Sequence, residues 1–205
     1  MPALDLVLQN LGLESRLPII RNVYTHGSRV FGTASSSSDH DYIIVTDGEI
    51  GKEDTLTGNG VDATVYDCKR FRQRIEDHEV SVLECLFLPT EHILKKELEF
   101  SWQLDRSKLR ESLSAKASNS FVKAKKKFEV EQQPYIAKKS LWHSLRILKF
   151  GIQIAVHGRI TDFAEANGLW KAITDNPSVV WEDYKQEYQT LYNNLKTQFR
   201  LVAPK

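Results

Sequence analysis

The chain has 205 residues, enough for one large domain or two small ones with a real core. A hydrophobic fraction of 41% and a charged fraction of 27% are ordinary for a globular protein, and no apolar run reaches the roughly 18 residues of a membrane helix. The net charge of +1 hides an asymmetry: acidic residues lead by about nine from Asp39 to Asp105, and basic ones by about seven from Lys116 to Lys149.

The first segment, Met1-Pro2-Ala3-Leu4-Asp5-Leu6-Val7, lacks a signal peptide's basic start and apolar core. Leu4 to Leu13 carries apolar residues at helical spacing and predicts a short amphipathic helix covering a sheet. Leu17 to Thr25 reads as a strand, with Pro18 confined to its beginning. Gly27-Ser28 breaks it, and Arg29-Val30-Phe31 has room for about one helical turn before Gly32. Thr33 to Ser38 is a small polar loop, either phosphate-contacting or a flexible connector.

Asp41 to Thr46 is the second strand, and Gly48 to Gly60 reads as a long hairpin connection ending in Asn59-Gly60. Val61 to Asp67 is the third strand, with Asp62, Thr64 and Tyr66 on one face. Cys68 to Asp77 reads as a basic amphipathic helix. Ser81 is expected to cap a second short helix with Pro89 after its end; Glu84, set among its apolar residues, reads as an inward polar group or, the more usual case, an exposed helix glutamate. Glu91 to Lys95 is a possible edge strand. The two cysteines, Cys68 and Cys85, lack metal-type spacing, which points to a reducing cytosol and a cytoplasmic protein.

Beyond residue 105 the pattern changes to long helices. One spans Ser107 to about Glu131, a second Tyr135 to His157 between Pro134 and Gly158, a third Asp162 to Thr174, and a last Val179 to Leu201. The expected fold class is therefore α+β, a small mixed sheet flanked by helices and followed by a C-terminal helical domain. The boundary divides residues 1–105 from 106–205.

The chemistry concentrates in Thr25-His26-Gly27-Ser28-Arg29-Val30-Phe31-Gly32 and Asp39-His40-Asp41. A glycine-serine turn after a strand exposes backbone N–H groups that favour phosphate, and Arg29 adds a charge-assisted donor. Asp39 and Asp41, two apart in a strand, project to the same face, which is costly without a cation between them. Oxygen ligands of this kind suit Mg²⁺ (or Mn²⁺) bridging to substrate phosphates. A third carboxylate would allow two metals, one activating a hydroxyl and one steadying pyrophosphate. Asp62 is the first choice for it, because its strand can pair with that of Asp41. Asp67, on the opposite face at the strand end, is the second. His26 and His40 flank the site without being obvious ligands of a hard cation.

Gly27-Ser28, ten intervening residues and Asp39-His40-Asp41 together resemble the signature of the DNA polymerase β-like nucleotidyltransferase superfamily. The run Gly27 to Thr33, with Ser38 to Tyr42, is similar to its branch of predicted nucleotidyltransferases associated with RNA ligases. Val80 to Phe87 resembles that branch's post-sheet helix. Lys138 to Arg146, running on to His157-Gly158-Arg159-Ile160, resembles its C-terminal helical motif. The resemblance covers roughly residues 20 to 165, and the first motif is the most specific.

The resemblance implies transfer of a nucleoside monophosphate from a nucleoside triphosphate, ATP being expected, to an acceptor with release of pyrophosphate. It places the triphosphate on Gly27 and Ser28 and makes Asp39, Asp41 and Asp62 the metal-binding catalytic acids. It divides the chain into a catalytic domain and a helical substrate-binding domain, with the triphosphate between the sheet and the helical half. Lys139, His143 and Arg146 share one helical face and would offer a basic stripe to the phosphates. Lys123, Lys125, Lys126 and Lys127, interleaved with Phe121, Phe128 and Tyr135, suggest a nucleic-acid surface, so an RNA end is the expected acceptor. A protein hydroxyl, a small-molecule acceptor, and a non-catalytic nucleotide- or RNA-binding module are the alternatives. No Walker-type phosphate loop occurs.

Overall fold

The computed structural model describes residues 2–48 and 55–204, which divide into two compact units, Met1–Gln103 and Leu104–Lys205. The first is built on a five-stranded mixed sheet in the order β3-β4-β2-β1-β5. Its strands are β1 (Ile20–His26), β2 (His40–Thr46), β3 (Thr55–Gly58), β4 (Val61–Asp67) and β5 (Ile93–Lys96). Together with the all-helical second unit this is an α+β protein. No helix among the described residues is long and apolar enough to cross a membrane.

Strand alternation divides the sheet into two buried faces. On one, Val23, Tyr42, Ile44, Val61, Ala63 and Val65 pack with Val7 and Leu8 of α1 (Leu4–Asn10), as its periodicity predicts. On the other, Tyr24, Ile43, Val45 and Tyr66 pack with Phe71 and Ile75 of α3 (Cys68–Glu76) and Val82 and Cys85 of α4 (Val80–Phe87). Between β1 and β2 a single turn, α2 (Ser28–Phe31), ends at Gly32 as expected.

The hairpin expected between Gly48 and Gly60 is corrected. Strands β2 and β4 run parallel, and the intervening chain includes β3, antiparallel to β4. Asn59 and Gly60 both have positive φ and close the β3–β4 hairpin, not one joining β2 to β4. Residues 49–54 of that connection lie outside the described residues. The first strand also begins later than expected. Pro18 sits inside a 3₁₀ turn, Glu14–Ile19, because a proline without an N–H cannot join the ladder there. Residue Glu79, not Ser81, stands at the N-cap of α4, and the Ser81 hydroxyl donates to the Glu79 carboxylate.

The second unit contains α5 (Arg106–Glu129), α6 (Pro134–His157), α7 (Asn167–Asp175) and α8 (Trp181–Val202). The Asp105 side chain caps α5 by accepting from the Lys108 N–H, Pro134 opens α6, and Gly158 ends it in a left-handed cap. Helix α6 is buried on most sides, Leu141, Leu145, Leu148 and Ile154 among its fully covered residues. Helix α7 starts later than the expected Asp162, because Gln153 of α6 binds that stretch. Its Oε1 accepts from the Thr161 and Asp162 N–H groups, and its Nε2 donates to the Asp162 carbonyl.

Beside the site strand, Asn22 is fully buried and ties β1 to the segment after β5. Its Oδ1 accepts from the Glu97 and Leu98 N–H groups, and its Nδ2 donates to the Leu98 carbonyl and the Tyr24 hydroxyl. Asn22→Ala removes the partner of the part-buried Leu98 N–H and carbonyl, so urea denaturation is expected to show a loss of about 1–2 kcal/mol.

Candidate active site

Two strand registers assemble a row of functional side chains. His26 stands opposite Asp41 in the antiparallel β1–β2 pair, and Asp41 stands opposite Asp62 in the parallel β2–β4 pair. Adjacent strands lie about 4.8 Å apart. By alternation all three belong to the face that carries Tyr24, Ile43 and Tyr66, under α3 and α4. The parallel pairing thus does more than bring the two strands together, since it sets the two carboxylates directly abreast.

Gly27 and Asp41 are in intimate contact. Gly27 holds φ 75° and ψ −150°, backbone that side-chain-bearing residues avoid. A Cβ built on it would meet Asp41 Oδ2 at 2.2 Å. The turn is therefore glycine for two reasons, its dihedrals and the carboxylate pressed against it. Within the turn, the Val30 and Phe31 N–H groups donate to the Gly27 carbonyl and the Thr33 N–H to that of Ser28.

Arg29 faces the loop that delivers Asp39. Its Nη2 donates to the Ser38 carbonyl at 2.7 Å and its Nε to the Asp39 carbonyl at 3.3 Å. The serine run closes on itself: Ser38 Oγ accepts from the Ser35 N–H, and the Ser35 hydroxyl bonds those of Ser37 and Ser38. Asp39 is exposed at the entrance of β2, and the next residue's N–H donates to the Gly60 carbonyl at the β3–β4 turn. Among the described residues no group of three or more His, Cys, Asp or Glu side chains stands arranged to hold a metal ion. The donor chemistry of Asp39, Asp41 and Asp62, all carboxylate oxygens at one end of the sheet, fits a hard divalent cation.

The other acid weighed from sequence sits elsewhere. Asp67 lies opposite Thr46 at the far end of the β2–β4 ladder, and its Oδ1 accepts from the Arg70 N–H at 2.7 Å as the N-cap of α3. The two flanking histidines separate as well. His40 stacks on Tyr42, a residue of the opposite face, and burial, then the Arg29 charge, hold its imidazole below the usual range. His26 stays in the acid row.

Glu84 takes the inward of its two sequence readings. It is 2% exposed, not a solvated helix residue, and its Oε2 lies 2.9 Å from His26 Nε2. Position supplied a signal: Glu84 stands four residues after Val80 and three before Phe87, on the stripe α4 turns inward.

In the second unit, Lys139 is exposed, His143 half-buried and Arg146 only 4% exposed. The Arg146 guanidinium lies over the Phe150 and Trp142 rings, 4.9 and 5.4 Å from their centroids, and its Nη2 is 3.2 Å from His143 Nδ1. The expected basic stripe thus grades from solvent into an aromatic pocket. The lysine run is also different from expectation. Phe121 stacks on Tyr192, and Phe128 stacks on Tyr184 and lies against Trp181, so neither is a platform for bases. Lys125 pairs with Glu129, and Lys126 and Lys127 pair with Glu131. Tyr135 alone of the three aromatics is well exposed, at 61%.

No family model matches the chain, and no curated protein matches it. Among solved structures, it is similar to a nucleotidyltransferase-like protein from Exiguobacterium sibiricum at 12% identity and a TM-score of 0.33. That alignment covers 98% of this chain and 72% of the other. A likeness this shallow carries no argument about the site.

If Asp41 is what excludes a side chain at position 27, the cost of Gly27→Ala depends on Asp41. Urea denaturation is expected to show Gly27→Ala losing about 2–3 kcal/mol in the native background, from dihedral strain and the clash. In an Asp41→Ala background the loss is expected to shrink toward the dihedral part alone, about 1 kcal/mol.

Proposed function

We propose that this chain is a Mg²⁺-dependent nucleotidyltransferase that moves a nucleoside monophosphate from a nucleoside triphosphate, ATP being the first choice, to an acceptor hydroxyl. One observation carries the proposal: Asp41 is at once pressed against the Gly27 turn and abreast of Asp62. Phosphate-binding backbone and paired carboxylates, the two parts of the resembled motif, therefore meet at one place.

The turn spends the Val30, Phe31 and Thr33 amides internally, so the phosphate donors assigned here are the Ser28 and Arg29 N–H groups and the Ser28 hydroxyl. The Arg29 guanidinium, anchored on the Ser38 and Asp39 carbonyls, keeps further N–H donors for the same anion. Asp39, Asp41 and Asp62 would hold the metal, which when bound supplies charge neutralisation at the phosphates. Asp62 takes the proton of the acceptor hydroxyl. The hydroxyl oxygen then bonds to the α-phosphorus in line as the bond to the β-phosphate oxygen breaks, and pyrophosphate leaves.

Lys139, His143 and Arg146 remain the proposed phosphate contacts from the helical unit, with Lys139 the most exposed of them. An RNA end is the proposed acceptor, supported by the resemblance and by the exposed Lys116, Lys123, Lys125 and Lys126 along α5. Protein and small-molecule hydroxyls are the competing acceptors.

The test is incubation with α-labelled nucleoside triphosphates, Mg²⁺ and a mixture of RNAs, with labelled protein and labelled small molecules scored in parallel. Asp41→Asn and Asp62→Asn are expected to lower transfer by about 100-fold or more, because each removes charge aimed at the reacting phosphates. Asp67→Asn keeps a side chain that can cap α3 and is expected to stay within about threefold of the native rate. Equal losses at Asp62 and Asp67, or transfer indifferent to Asp41, would refute the assignment.

A further inference from the structure

Within the second unit, helices α5 and α8 pass each other antiparallel: Arg110 reaches the Ala203 carbonyl, Ser118 bonds Tyr192, and Phe128 stacks on Tyr184. From Ser118 onward their seam is filled. The Ser118 and Tyr192 hydroxyls bond at 3.0 Å, and Phe121 stacks on Tyr192 with centroids 4.4 Å apart. Before Ser118 the seam opens into a cavity of about 310 Å³, lined by Ser107, Arg110, Glu111, Ser114 and Arg200. The four α5 residues stand three and four apart, so they share one helical face.

Every one of these side chains is polar. Elsewhere in this unit lysines pair with acids one turn away, as Lys125 does with Glu129 and Lys171 with Asp175. Among the described residues, neither guanidinium of the cavity forms an ion pair, and neither does Glu111. Arg110 is half-buried and anchored, its Nη1 donating to the carbonyl of the fully buried Ala203 at 3.4 Å. That anchor leaves its other N–H groups for a ligand. Arg200, in the last turn of α8, is exposed.

Two guanidinium groups without a carboxylate partner suit an anion, and their planar forks match a phosphate. Glu111 and the serines narrow the choice. Glu111 would repel a bare anion, whereas hydroxyl donors beside the phosphate give its carboxylate something to accept. The size agrees, since the cavity stands at the lower end of small-molecule sites, which run from about 300 to 1,000 Å³.

We propose that this cavity binds a ribose phosphate, the repeating unit of RNA and the body of a free ribonucleotide. Arg110 and Arg200 hold the phosphate, Glu111 accepts from ribose hydroxyls, and Ser107 and Ser114 bond to either part. The site lies wholly within the second unit and does not depend on the transfer chemistry proposed for the first. It is a binding site, with no bond made or broken.

The experiment uses the full chain in EDTA, so that the acids of the first unit have no metal through which to recruit phosphate. Fluorescence anisotropy reads a short labelled RNA and the matching DNA, and calorimetry reads AMP, 2′-deoxy-AMP and inorganic phosphate. Arg200→Gln, at an exposed position, is expected to weaken binding about 10-fold with the thermal midpoint unchanged, and Arg110→Gln at least as much. Lys108→Gln removes the same charge from the same part of α5 outside the cavity and is expected to stay within about twofold. The native protein is expected to favour ribose over deoxyribose about fivefold, and Glu111→Ala to erase that preference.

Arginine-dependent binding of RNA assigns the site to a strand, and the same dependence with AMP alone assigns it to a free nucleotide. Binding indifferent to both arginines, or lost equally with Lys108, overturns the proposal. So do the absence of a ribose preference, one that survives Glu111→Ala, inorganic phosphate bound as tightly as AMP, and no binding of RNA or AMP. None of these outcomes bears on nucleotide transfer, which Asp41→Asn tests separately.

Discussion

The close approach of the Asp41 carboxylate to the Gly27 backbone governs the geometry of the first unit's functional end. Two charged or polar features that a strand pair would ordinarily keep apart are brought into contact because one of them has no side chain. The antiparallel β1–β2 register sets His26 against Asp41, and the parallel β2–β4 register sets Asp41 against Asp62. Neither register could slip by one residue without turning the acids into the apolar face that holds Val61, Ala63 and Tyr42. The same burial that stabilises the sheet thus keeps like charges side by side.

Around that contact, each neighbouring element contributes a constraint of its own. Arg29 spends donors on the Ser38 and Asp39 carbonyls and so ties the turn to the loop that ends in the first acid. Asp67 caps the start of α3, which packs Phe71 and Ile75 on the same face of the sheet as the acids. Helix α4, on that same face, adds Glu84. The polar groups at this end are held by apolar packing on one side and by each other on the other, an arrangement that resists rearrangement.

Much of this was legible in the sequence, because local signals are strong where periodicity or punctuation is clean. The Gly27-Ser28 break, the one-turn helix ended by Gly32, the strand from Val61 to Asp67 and the capped helix from Pro134 to Gly158 all follow from residue type and spacing. The misread features depend on distant partners. Asn59-Gly60 is an honest hairpin signal, but nothing local says whether its partner is β2 or a short strand such as Thr55–Gly58. For Glu84 residue type favours exposure and position favours burial, and a partner that decides between them, His26, lies nearly sixty residues earlier. Phe121 and Phe128 stand among lysines in the sequence, whereas α8 supplies the rings that they stack on.

Under the proposed function, substrate choice would fall to the helical unit, with its exposed α5 lysines and Lys139 as the candidates. The central claim, however, concerns the first unit and can be put to one structural measurement. A crystal of the full chain soaked with Mn²⁺ and a nonhydrolysable ATP analogue should show an anomalous peak bounded by the Asp41 and Asp62 carboxylates, with phosphate oxygens on the Ser28 backbone. Metal bound away from both carboxylates, or a triphosphate bound away from the Gly27–Ser28 turn, would contradict it.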